Sequence, residues 1–158
     1  MTIFILRHGQ AELQMTTDEA RRLTDKGRVD TAKIMQKRVA DMDSLTQIWA
    51  SPLVRAQQTA GIATDYFSGL EIQTTDLLVP EANPQVLINW LAELYSKESQ
   101  NSDSSILLVS HQPLVGRVLN MLCGKSDDYH PMGTSSLAAI SAPLVAADLG
   151  ELLWLDHA

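Results

Sequence analysis

The stretch Ile106-Leu107-Leu108-Val109-Ser110-His111-Gln112-Pro113 joins four consecutive apolar residues to a polar turn. An unbroken apolar run of this length reads as a strand covered on both faces, because a strand with one wet face would alternate apolar and polar side chains. Strands buried on both sides belong to parallel sheets with a helical layer above and below. After Pro113, Val115, Leu119 and Leu122 recur at helical spacing, so the strand is expected to lead through the Ser110-His111 turn into a helix.

Working outward, the same strand-then-helix alternation recurs. Thr2 to Leu6 is a short apolar run that ends at Arg7-His8-Gly9, the profile of a strand stopped by a glycine. Thr24 is a candidate N-cap, and Val29, Ala32, Met35, Val39 and Met42 follow at steps of three and four as an expected buried helical stripe. Ile48 to Ala50 reads as a second strand. Ser51-Pro52 is then expected as N-cap and first helical position of a helix burying Leu53, Ala56, Ala60, Ala63 and Phe67. Leu70 to Thr75 alternates as a third strand, and Asn83-Pro84 starts a helix facing Leu87, Trp90, Leu91 and Leu94 inward. Residues Ser99 to Ser105 read as a polar surface loop, and strands near Leu137 to Ser141 and Leu152 to Leu155 are expected to close one sheet edge. The expected fold is α/β: one three-layer domain over residues 1–158, with a mainly parallel sheet flanked by helices.

Composition agrees with a folded enzyme-sized unit. The chain has 158 residues, 45% hydrophobic and 20% charged, which excludes disordered, coiled-coil and collagen-like classes. No apolar run approaches a membrane span, and the first residues lack the basic start and cleavage site of a signal peptide, so a cytoplasmic location is expected. The single cysteine, Cys123, forms no internal disulfide and excludes a cysteine-rich zinc module. A net charge of -7 argues against nucleic-acid binding. The charge is uneven, however: residues 1–55 hold nine of the twelve Lys and Arg against seven acids, and the remainder holds three against twelve. An anion site in such a chain must be a local cluster of arginines, because the field of the whole molecule repels anions.

In open parallel sheets ligands bind beyond the carboxyl ends of the strands. Three such ends carry Arg7-His8-Gly9, then Ser51 with Arg55 shortly after it, then Ser110-His111. Two histidines and two arginines thus fall on one edge of the sheet with helix N-termini behind them, the makings of a phosphoryl site. Gln10, Ser51 and Thr59 are further candidates to line it, or else to serve as turn and capping residues. A metal site from His8, Glu12, His111 and His130 lacks ligand spacing, and His130 and His157 are expected at the surface.

Four segments carry a resemblance: Leu6-Arg7-His8-Gly9-Gln10-Ala11-Glu12; Leu23-Thr24 with Gly27; Ser51-Pro52-Leu53-Val54-Arg55-Ala56-Gln57-Gln58-Thr59; and Val109-Ser110-His111-Gln112-Pro113-Leu114-Val115-Gly116. In order and placement the chain resembles the histidine phosphatase superfamily, to which the phosphoglycerate mutases also belong. Its small size and the run Pro113 to Gly116 are most similar to the bacterial phosphohistidine phosphatases of that superfamily. The resemblance implies His8 as nucleophile, Arg7, Arg55 and His111 as substrate-binding residues, no cofactor and no metal. It implies a phosphohistidine-bearing protein, a histidine-containing phosphotransfer domain, as partner of a monomeric enzyme. Chemistry supports the nucleophile, since a neutral imidazole can attack phosphorus if its other nitrogen is held as a donor, as by a backbone carbonyl in the Gly9 turn. Many relatives place a carboxylic acid near the phosphate to protonate an alcohol leaving group. Glu81 in Pro80-Glu81-Ala82-Asn83-Pro84 is the best counterpart, with a loose local match. A phosphatase of small phosphate esters and a non-catalytic phosphate-binding module are the alternatives.

Overall fold

The computed structural model describes residues 1–98, 104–126 and 129–158. Six strands form one sheet in the order β3-β2-β4-β1-β5-β6: β1 (Thr2–Arg7), β2 (Leu45–Ala50), β3 (Ile72–Thr74), β4 (Ser105–Ser110), β5 (Leu137–Ser141) and β6 (Glu151–Asp156). Strands β3, β2, β4 and β1 pair in parallel, and β5 and β6 add antiparallel at one edge. The run that opened the sequence reading is β4, buried along its whole length in the middle of the sheet. Its two faces feed two cores. Ile106 and Leu108 pack with Ile3 and Ile5 against helices α3 (Pro84–Glu98) and α4 (Leu114–Leu122). Leu107 and Val109 pack with Phe4 and Leu6 against α1 (Asp25–Arg38) and α2 (Val54–Thr64). The expected three-layer arrangement and mainly parallel sheet are therefore present.

Several local expectations are corrected. The inward stripe of α1 is Gly27, Thr31, Ile34 and Met35, whereas Val29 is half exposed and Ala32 and Val39 are only partly buried. Tertiary contact sets this rotation. A Cβ on Gly27 would lie 2.1 Å from the Gln10 carbonyl oxygen, so this glycine must turn toward the backbone after β1, and the residues one and two turns on follow it inward. Thr24 is the N-cap as expected, its Oγ1 accepting from the Gly27 amide at 3.0 Å.

Helix α2 begins at Val54 rather than Pro52, and Ser51 is not its cap. The Val54 amide donates instead to the Glu19 carbonyl at 3.1 Å, which leaves the Ser51 side chain free to turn elsewhere. Ile72–Thr74 is shorter than the expected third strand. Ser105 belongs to β4, while residues 99–103 of the expected polar loop lie outside the described residues. In α3, Leu87, Ile88 and Leu91 are fully buried and Trp90 and Leu94 pack at the margin. Among the described residues no helix is long and apolar enough to cross a membrane.

Candidate active site at the carboxyl edge of the sheet

The parallel pairing of β1 with β4 aligns Arg7 with Ser110, so His8 and His111 leave the sheet side by side at adjacent strand ends. The His8 amide donates to the Ser110 carbonyl at 2.9 Å and its carbonyl accepts from the Ser135 amide at 3.1 Å, fixing the backbone from both sides. Gly9 is forced by space: a Cβ there would lie 2.6 Å from the Gly27 carbonyl oxygen and 2.8 Å from Thr31 Oγ1. Its amide donates to Thr59 Oγ1 at 3.1 Å, and Thr59 Oγ1 donates to the Arg55 carbonyl at 2.7 Å, which ties the turn to α2.

The two imidazole rings lie 4.9 Å apart between centroids, tilted by 52°. His8 Nδ1 is 2.7 Å from the Gly9 carbonyl oxygen. A carbonyl only accepts, so the proton sits on Nδ1 and the Nε2 lone pair is free. Arg55 Nε–H approaches that Nε2 at 3.4 Å, while its other nitrogens donate to the Asp18 carbonyl at 2.7 Å and to Asp18 Oδ2 at 3.0 Å. Asp18 also accepts from Arg21 at 3.0 Å. Arg7 donates to the Met132 carbonyl at 2.9 Å and keeps a buried Nε–H with no acceptor among the described residues. His111 Nε2 is 2.7 Å from Ser51 Oγ, and its buried Nδ1 likewise has no partner there.

Electrostatics keep both rings neutral. Burial first, and then the charges of Arg55, Arg7 and Arg21, lower His8 from 6.5 to about 4, against a raising contribution from the Gly9 carbonyl. Burial, the neighbouring His8 and Arg55 lower His111 to about 3. The Asp18 carboxylate, bonded to Arg21 and Arg55, is held below the usual aspartate range. What results is a neutral imidazole nitrogen beside two guanidinium groups, with an unfilled N–H on Arg7 and an unpartnered ring nitrogen on His111. Chemically, such an arrangement is suited to hold a tetrahedral anion and to present a nucleophile to its centre.

The structure thus brings together Arg7, His8, Arg55 and His111. Glu81 lies exposed in the turn before α3, and no hydrogen bond or ion pair joins it to those four among the described residues. Gln10 is exposed with its Oε1 accepting from Thr24 Oγ1, and Thr59 is a tie within the scaffold. His130 is partly buried, and exposed His157 pairs its Nδ1 with Ser136 Oγ at 2.7 Å. Sequence reasoning passed over Asp18 and Arg21, which hold and flank Arg55. Their i,i+3 acid–base spacing inside a polar stretch was the only local signal.

Comparison with known proteins places the chain among relatives at three levels: a family model, similar sequences and solved structures. A family model described as histidine phosphatase superfamily (branch 1) matches residues 3–79. The chain is 33% identical to a phosphohistidine phosphatase SixA homolog of Haemophilus influenzae over 98% of this chain and 88% of that protein. It is 29% identical to phosphohistidine phosphatase SixA of Escherichia coli over 98% and 92%. Among solved structures, protein histidine phosphatase SixA complexed with tungstate superposes with a TM-score of 0.85 at 26% identity, covering 99% of this chain and 97% of that one. A mycobacterial glucosyl-3-phosphoglycerate phosphatase shares the fold, with a TM-score of 0.76 at 17% identity.

Proposed function

Because the chain belongs to the histidine phosphatase superfamily, we propose that it removes the phosphoryl group from phosphohistidine carried by another protein, a histidine-containing phosphotransfer domain. The observation that carries this reading is the ring of His8, pinned as an Nδ1 donor on the Gly9 carbonyl with its Nε2 lone pair meeting only the long 3.4 Å contact from Arg55 Nε–H. Two relatives named phosphohistidine phosphatases, matched over nearly the whole chain, support the substrate class. A similar fold solved with tungstate, a tetrahedral oxyanion, supports phosphoryl binding.

In the proposed reaction His8 Nε2 attacks phosphorus in line. The bond from phosphorus to the substrate imidazole breaks, and its electron pair returns to that ring, which departs neutral when its other nitrogen already carries a proton. Arg7, Arg55 and His111 hold the equatorial oxygens as charge develops. Water then attacks the phosphoryl group on His8, the P–N bond breaks, and inorganic phosphate leaves with Nε2 restored as a free lone pair. A protein-borne substrate also suits the rim. The excursion between the paired backbone of Glu12 and Arg22 carries Leu13 and Met15, 86% and 89% exposed, apolar side chains available to a macromolecular partner. The cytoplasm, where phosphotransfer proteins operate, is the proposed location, and a monomer the proposed working state.

The test is release of inorganic phosphate from a panel of phosphohistidine proteins, set beside sugar phosphates. Turnover of the phosphoproteins, loss of it in His8→Ala, and an acid-labile phosphoryl label on His8 are the expected results. Turnover of a metabolite alone would overturn the substrate assignment, and a label on another residue the nucleophile.

A further inference from the structure

Burial leaves His111 neutral, and a neutral imidazole has one N–H. Which nitrogen carries it decides whether the ring can donate to a phosphoryl oxygen at all. We infer that Ser51 is a positioning residue that fixes the proton of His111 on Nδ1, turning a ring with no charge into an oriented donor. The inference rests on the proposed function in one respect, that His111 meets the phosphoryl group.

The argument is one of satisfying every buried polar atom. Ser51 and His111 are buried to 0% and 1% exposure, and Ser51 Oγ lies 2.7 Å from His111 Nε2. The Leu53 amide donates to the same hydroxyl oxygen at 3.3 Å. If Nε2 carried the proton, Ser51 Oγ would accept from both Nε2 and the Leu53 amide. The hydroxyl proton would then have no acceptor among the described residues, and Nδ1 would be an unpartnered lone pair, repelling an incoming anion. With the hydroxyl proton donated to Nε2, both the serine oxygen and Nε2 are satisfied. Nδ1 then carries a buried N–H with no acceptor of its own, the state in which an arriving phosphoryl oxygen completes the network.

The late start of α2 is what makes this possible. A Ser51 serving as N-cap would spend its oxygen on amides two and three residues on; with the Val54 amide taken by Glu19, only the long contact from Leu53 remains. His8 and His111 thereby share a tautomer, protonated at Nδ1, yet play opposite parts. The Gly9 carbonyl occupies His8 Nδ1–H and leaves its Nε2 lone pair to attack, whereas Ser51 occupies His111 Nε2 and leaves its Nδ1–H to donate.

Long-range proton–nitrogen NMR of the 15N-labelled protein near pH 7.5 tests this without substrate. His111 is expected to show a pyrrole-type Nδ1 and a pyridine-type Nε2, and the reverse pattern overturns the inference. Ser51→Ala should move the proton toward Nε2 and lower kcat on an aryl phosphate by about 10- to 100-fold, part of the cost of losing one aimed donor. Ser51→Thr should recover both. In a His111→Ala background, Ser51→Ala should cost nothing more; an undiminished further loss would mean Ser51 acts independently of His111 and would overturn its role. Because the spectrum and the aryl phosphate assay use no phosphoprotein, inactivity on phosphohistidine proteins would defeat the proposed function and leave this inference standing.

Discussion

At the scale of single residues, the site depends on where charge is placed, and Arg55 is the sharpest case. It is 3% exposed, yet only one of its nitrogens faces His8 while the others are spent on Asp18. Arg55→Ala should therefore lower turnover by about 100- to 1,000-fold, the scale for one preorganised donor, and Arg55→Lys should recover little because an ammonium cannot hold Asp18 and the anion at once. Steady-state kinetics on an aryl phosphate check both. Glu81 supplies a contrasting expectation. A phosphohistidine leaving group has a conjugate acid near pKa 6.5 and needs little help, so Glu81→Gln should cost it much less than the ~100- to 10,000-fold of a lost general acid. Alkyl phosphates, whose alkoxides need a proton, should suffer more; equal losses across both substrates would remove Glu81 from the chemistry. The placement of Arg7, His8, Arg55 and His111 was legible in the sequence because Arg7 ends a strand, His8 and His111 directly follow one, and Arg55 lies in the first turn of the helix after β2. Asp18 was not, since its partner Arg55 lies far along the chain and nothing local foretells that contact.

At the scale of elements, periodicity located the α-helices α1 to α4 but misjudged how α1 and α2 are presented. Hydrophobic spacing in α1 named Val29, because a count of apolar residues is blind to a glycine that must face a neighbouring backbone. The same blindness put a cap at Ser51, whose hydroxyl is turned to His111 just beyond the end of β4. Two glycine substitutions separate local propensity from this kind of contact. Alanine is favoured over glycine inside a helix by about 1 kcal/mol. Gly61, in α2, has nothing within 4 Å of an added Cβ, so Gly61→Ala should raise the melting temperature. Gly27, in α1, meets the Gln10 carbonyl at 2.1 Å, so Gly27→Ala should lower it, by about 1–3 kcal/mol of overpacking, and should impair turnover through the Gly9 turn. Thermal melts of the two variants decide the matter by opposite signs.

At the scale of the whole molecule, the two buried histidines link folding to pH. In the unfolded chain they titrate near 6.5, whereas in the folded protein they are held to about 4 and about 3. Between the folded and unfolded values the unfolded chain binds more protons, so stability rises with pH; this contribution is fully present above 6.5 and is lost as pH falls from 6.5 toward 4 for His8 and toward 3 for His111. Denaturant midpoints measured from pH 8 to pH 4 should show that decline, and His111→Gln should flatten it. The pairing of β1 with β4 carries another consequence. His8, the proposed nucleophile, lies near the start of the chain and His111 about two-thirds of the way along, and they meet only where these central strands pair in register. Parallel pairing across so long a separation is a slow, late event in folding. A growing chain on the ribosome therefore holds His8 without His111 beside it until β4 has emerged and docked. Recovered turnover after dilution from denaturant is therefore expected to report on the central sheet, because Arg7, His8 and His111 are brought together only when β1 and β4 pair.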